Sequence, residues 1–99
     1  MLPQNYVNGT EDIPLYEGFT LKDNDDVAFD AIDGRLIDVT YESKTASIHS
    51  VRKFYHNTLP QLGWTPHLHQ SYQRDGEILK ITILKNRQNV ELKFNISPS

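Results

Sequence analysis

Two runs late in the chain place an apolar residue at every second position. Leu79, Ile81 and Ile83 form one row within Ile78–Lys85, and Val90, Leu92, Phe94 and Ile96 form another within Val90–Ile96. Successive side chains of a strand point to opposite faces, so each run predicts a half-buried strand. Lys85–Asn89 joins them as a short polar loop. Ile37, Val39 and Tyr41 alternate with Asp38, Thr40 and Glu42 in the same way. That run, Arg35–Glu42, and the run Val27–Ile32 flank Asp33-Gly34. Asp-Gly is a strong hairpin signal, because a type I′ turn needs two residues tolerant of positive φ. Trp64–Tyr72 alternates less regularly and reads as a further strand. Asp75-Gly76 marks another tight turn.

The pattern between Ser47 and Gly63 has a different period. Ile48, Val51, Phe54, Tyr55, Leu59 and Leu62 share one side of a 3.6-residue helix, while His49, Lys53, His56 and Asn57 share the other. Ser47 is suited to the N-cap, where its hydroxyl accepts from a free backbone N–H of the first turn. Pro60 disfavours helical geometry at the residue before it, so the regular helix is expected to end near Thr58. Gly63 suits the left-handed residue that closes the last turn.

The predicted order is β-β-α-β-β-β. One amphipathic helix on an antiparallel sheet of four or five strands gives a two-layer α+β sandwich. Phe94, Tyr41 and Trp64 should point inward. The far face would be polar, with Asp38, Thr40, Lys80, Thr82, Glu91, Lys93 and Asn95. Residues 1–14 are turn-rich (Pro3, Asn5, Asn8, Gly9, Pro14) and predict a flexible N-terminal arm, with the α+β domain over residues 15–97. Lys22–Asp26 reads as a charged turn.

Ninety-nine residues fit one domain with a modest core. No cysteine is present, which removes disulfides, thiolate catalysis and cysteine-ligated metals. No run is long and apolar enough for a transmembrane helix, and no leader is visible after Met1. A soluble chain is expected, cytoplasmic if the native protein starts at Met1. Charge is unevenly divided. Residues 1–42 hold ten acids and two bases, whereas residues 43–99 hold eight bases and three acids. This split suits packing of an acidic hairpin beside basic strands, or docking between copies or with an anion.

Candidate chemistry is sparse. His67 and His69, two apart on the expected strand, are weak candidates for a metal site, which would need a third ligand. Lys80 and Lys93 on the open face oppose a cation there and are weak candidates for an interaction surface instead. Asp23-Asn24-Asp25-Asp26 lacks the alternation, glycine and closing glutamate of an EF-hand loop. No Gly-x-Ser-x-Gly elbow, Walker A loop or dinucleotide fingerprint occurs, so neither a catalytic residue nor a cofactor is predicted. A basic open face without stacking aromatics disfavours nucleic acid. Asn8-Gly9-Thr10 and Asn95-Ile96-Ser97 match the glycosylation pattern, which has meaning only in a secretory context.

One wider pattern spans residues 14–85. Pro14, Gly18 and Phe19 precede the hairpin positions Arg35 and Tyr41. Ser47, Val51, Phe54 and Tyr55 follow on the helix, and Leu59, Pro60, Gly63 and Trp64 lead into the next strand. This run resembles small α+β domains of unknown function in bacterial envelope proteins, often lipoproteins. The resemblance implies a periplasmic or cell-envelope setting and brings no catalytic residues with it. The expected function is a non-catalytic interaction or accessory module with a protein partner on the open sheet or an edge strand. The alternatives are a small enzyme or metal-binding domain with its site on the open sheet face, and a structural homo-oligomer subunit.

Overall fold

The computed structural model describes residues 5–31 and 34–99, with the backbone alone for 23–31. The elements are β1 (Thr20–Ala31), β2 (Gly34–Ser43), α1 (Ile48–Thr58), a 3-10 turn (Leu59–Leu62), β3 (Thr65–Pro66), β4 (Ser71–Arg74), β5 (Glu77–Asn86) and β6 (Asn89–Pro98). All strands join one antiparallel sheet in the order β1-β2-β6-β5-β4-β3. The fold is α+β, as the periodicities predict, with helix and sheet in two layers.

The inward rows are where alternation places them. Ile37, Val39, Tyr41, Leu79, Ile81, Val90, Leu92, Phe94 and Ile96 are buried, and Ile83 is half-buried. Val51, Tyr55 and Leu59 meet them from α1 and its 3-10 extension. A chain of edge-to-face rings ties the layers together: Tyr41 to Phe94 at 6.1 Å, Phe94 to Tyr55 at 5.4 Å, and Tyr55 to Phe54 at 4.9 Å. The helix is delimited as expected. The Ser50 N–H donates to Ser47 Oγ (3.3 Å), and α1 ends at Thr58 before Pro60. Gly63 closes the turn with φ of 91°. The hairpin turn at Asp75-Gly76 also forms, with φ of 50° and 81°.

Four expectations need revision. Residues 5–14 do not lie apart from the core. The Val7 N–H donates to Ile13 O and the Leu15 N–H to Asn5 O (both 2.9 Å), folding the segment back at Asn8-Gly9. Val7 and Ile13 thereby enter the core with no exposure. Second, Trp64–Tyr72 is not one strand. Pro66 ends β3, and residues 67–70 turn, with Gln70 at φ of 59°. The Ser71 N–H and Oγ both donate to Leu68 O (2.9 and 3.0 Å), holding that turn. The sheet therefore has one strand more than five. Third, Lys22–Asp26 belongs to β1. Its pairing with β2 shifts between Leu21↔Tyr41 and Asp26↔Val39, so residues 22–25 face Thr40 alone. Thr40 is buried although it lies on the otherwise polar face. Fourth, Ala31 pairs with Gly34, so Gly34 begins β2 and the turn expected at Asp33-Gly34 lies partly outside the described residues.

Two tyrosine hydroxyls anchor the N-terminal segment. Tyr41 Oη accepts from the Asn8 N–H (2.9 Å). Tyr55 Oη accepts from the Tyr16 N–H (2.9 Å) and donates to Pro14 O (2.8 Å). Arg74 adds a third tie: it bonds Asp12 (2.6 Å) and Leu62 O (2.9 Å) and lies 4.3 Å from the centre of the buried Trp64 ring.

Candidate functional site

The helix carries a second stripe beside its buried one. His49, Arg52, Lys53 and His56 stand at i, i+3, i+4 and i+7, the spacing that puts four side chains on one helix side. All four are exposed, and α1 contains no acidic residue. The stripe forms one wall of a cleft of about 420 Å³ whose floor is Tyr55, Tyr72, Ile81 and Ile83, with Gln70 at its end. Among the described residues, none that lines it is acidic. Partial burial raises the Tyr72 phenol above its ordinary pKa, so it stays a neutral hydrogen-bond donor there. The volume is within the range of about 300–1,000 Å³ usual for small binding sites.

The cleft opens onto an unpaired strand edge. β4 pairs with β5 only from Arg74↔Glu77 to Ser71↔Lys80. One more bond follows, from the Ile81 N–H to Gln70 O (3.1 Å), before the chain turns away. β5 continues to Asn86, paired on its other side with β6 throughout. Among the described residues, no strand therefore lies against the outer edge of β5 from Thr82 onward. Backbone groups of a strand alternate in direction. Because Ile81 points toward β4, the N–H and C=O of Ile83 and Lys85 point into the same open space, next to the cleft.

Two other concavities differ in character. One, of about 1,110 Å³, lies between Tyr16, Glu17, Ala46, Ser50 and Phe54, where the Ser47 hydroxyl is already committed to capping. The other, of about 440 Å³, is on the open sheet face and includes Lys80 and Lys93. Register places Asp38, Asn95 and Lys80 in one row across β2, β6 and β5, and Thr40, Lys93 and Thr82 in the next. The two lysines are thus brought to one face, two rungs apart, among side chains of both signs. Glu91, in the third row, accepts from Asn86 (2.8 Å) and Lys22 (2.9 Å), and these bonds hold its carboxyl below the usual range.

His67 and His69 sit in the turn between β3 and β4, both exposed, rather than on a strand. Among the described residues, no group of three or more His, Cys, Asp or Glu side chains comes together to hold a metal. The helical period separates His49, Lys53 and His56 from the core, and the structure leaves all three exposed. The stripe was legible in its spacing. The cleft was not, because Tyr72 and Gln70 reach it only through the break between β3 and β4. No helix of the described residues is long and apolar enough to cross a membrane. Compared with protein-family models, curated proteins and solved structures, the chain matches none.

Proposed function

We propose that this chain is a non-catalytic interaction module that receives a protein partner along the free edge of β5. One observation carries the reading: Ile83 and Lys85 present backbone groups that no strand of the described residues pairs, beside a cleft with an apolar floor. Added strands bind in this way, the main chain supplying hydrogen bonds and adjoining pockets supplying selectivity. The other edge of the sheet is less suitable. β1 is interrupted by the irregularity between Leu21 and Asp26, and such bulges twist an edge away from pairing. The resemblance of the Pro14-to-Trp64 pattern to bacterial envelope domains supports an accessory role in the cell envelope.

Site-specific photocrosslinking in native cells tests the location. A photoreactive phenylalanine replacing Lys85 should capture a defined protein adduct, whereas the same replacement of Lys93 should not. Adducts at Lys93 with none at Lys85 would move the partner surface to the open face and overturn this reading.

A further inference from the structure

We infer that the partner segment is an extended acidic peptide in which acidic and apolar residues take turns along one face, in the pattern acidic-x-apolar-x-acidic. This rests on the free β5 edge being the binding site and adds the chemistry of what binds there. A strand laid along β5 continues the line of β4, so the same two-residue period governs its side chains. Ile81 and Ile83 turn toward the helix layer and line the cleft. Every second residue of an added strand therefore faces the cleft floor and the helix wall above it. The floor offers aliphatic and aromatic surface, which selects an apolar side chain. The wall offers the cationic side chains of Arg52 and Lys53, with His49 and His56 at its ends. Carboxylates one period before and after the apolar residue meet this wall.

Among the described residues, no ion pair compensates the wall. Residues 43–99 contain only three acids, Asp75, Glu77 and Glu91. Two of them are occupied by bases of the first half: Arg35 bonds Glu77 (2.9 Å) and Lys22 bonds Glu91 (2.9 Å). Arg52 and Lys53 join none of the ion pairs formed among the described residues. Lys85, on the free edge itself, adds to the positive field and opposes a basic partner strand. Electrostatics of this kind favours an acidic strand and rejects a basic one.

The experiment uses the full chain, labelled with nitrogen-15, and four capped probes. They are a peptide of repeating Asp-Ser-Ile-Ser (the Asp-Ile peptide), its counterpart with Lys in place of Asp (the Lys-Ile peptide), the Asp-Ile peptide N-methylated at every second residue on its pairing edge, and dodecanoate. The Asp-Ile peptide should shift the Ile83 and Lys85 amide signals and slow their hydrogen exchange. Its affinity should fall at least about tenfold in the double variant Arg52→Gln/Lys53→Gln, the loss of two charge-assisted contacts. A similar fall is expected between about 0.05 M and about 0.5 M salt, as screening requires. Both substitutions are on exposed side chains, and an unchanged melting temperature verifies that the variant folds.

Equal binding of the Lys-Ile peptide at the same amides would overturn the acidic preference while leaving the edge site intact. Binding of dodecanoate in the cleft without any change at Ile83 and Lys85, with no peptide bound, would replace the strand with a small amphiphilic anion. Retention of affinity by the N-methylated peptide would refute strand pairing. Self-association of the protein through the same amides would assign the site to a second copy. Shifts confined to Lys80 and Lys93 would overturn both this inference and the site it rests on.

Discussion

At the scale of single residues, Tyr55 shows how one side chain joins three parts of the chain. Its ring packs between Phe54 and Phe94, and its hydroxyl serves Tyr16 and Pro14 at once. Burial raises its pKa well above the ordinary tyrosine value, despite the Tyr16 N–H, which stabilises the phenolate. A raised folded pKa means that the folded state holds its proton more tightly than the unfolded chain. The stability so linked is complete below the unfolded value of about 10 and is lost as pH rises above it. Tyr55→Phe leaves the Tyr16 N–H and Pro14 C=O without their partner, which should cost about 1–3 kcal/mol at neutral pH. The same variant should lose stability less steeply than the wild type between neutral pH and alkali. Urea titrations of both proteins across that range check the two expectations together. A neutral-pH loss with an unchanged alkaline slope would mean that Tyr55 does not hold its proton as burial requires. The sequence placed Tyr55 on the buried stripe from spacing alone, but its hydrogen bonds to residues 39 and 41 positions away were invisible there.

At the scale of elements, legibility depended on length and regularity. α1, β5 and β6 announce themselves through sustained periods, and a capping serine and a closing glycine fix the helix ends. β3 and β4 do not, because four residues or fewer cannot establish an alternation. The segment 5–14 was the other failure. Its turn residues predict a flexible arm, yet they bend the chain so that two isolated apolar side chains, Val7 and Ile13, reach the core. Ile13→Ala should therefore destabilise the protein by about 2–5 kcal/mol, the range for a fully buried isoleucine. Chemical denaturation is the check. A change below about 0.5 kcal/mol, the usual size for a surface substitution, would return this segment to the status of an appendage.

At the scale of the whole molecule, the acidic first half and basic second half are joined in a way that composition did not foretell. All three ion pairs of the described residues cross between the halves, but in two of them the first half supplies the base. Lys22 and Arg35, its only bases, bind acids of the second half. Part of the positive charge of that half, on Arg52 and Lys53 of α1, stands in none of these pairs and faces the cleft. The strand lengths set the other condition. β4 stops where β5 is half finished, so the sheet has an overhang whose backbone groups on one side have no strand neighbour among the described residues. Periodicity gave the strands that build this overhang, but its existence depends on where the short strand ends.

Amide hydrogen exchange of the free protein, read residue by residue along β5, tests the overhang most directly. Thr82 and Leu84 point toward β6 and should be protected, while Ile83 and Lys85 point outward and should exchange at least about tenfold faster, since only paired amides resist solvent. Equal protection of Ile83, Leu84 and Lys85 would show that the edge is already covered, and the binding site proposed on it would not exist.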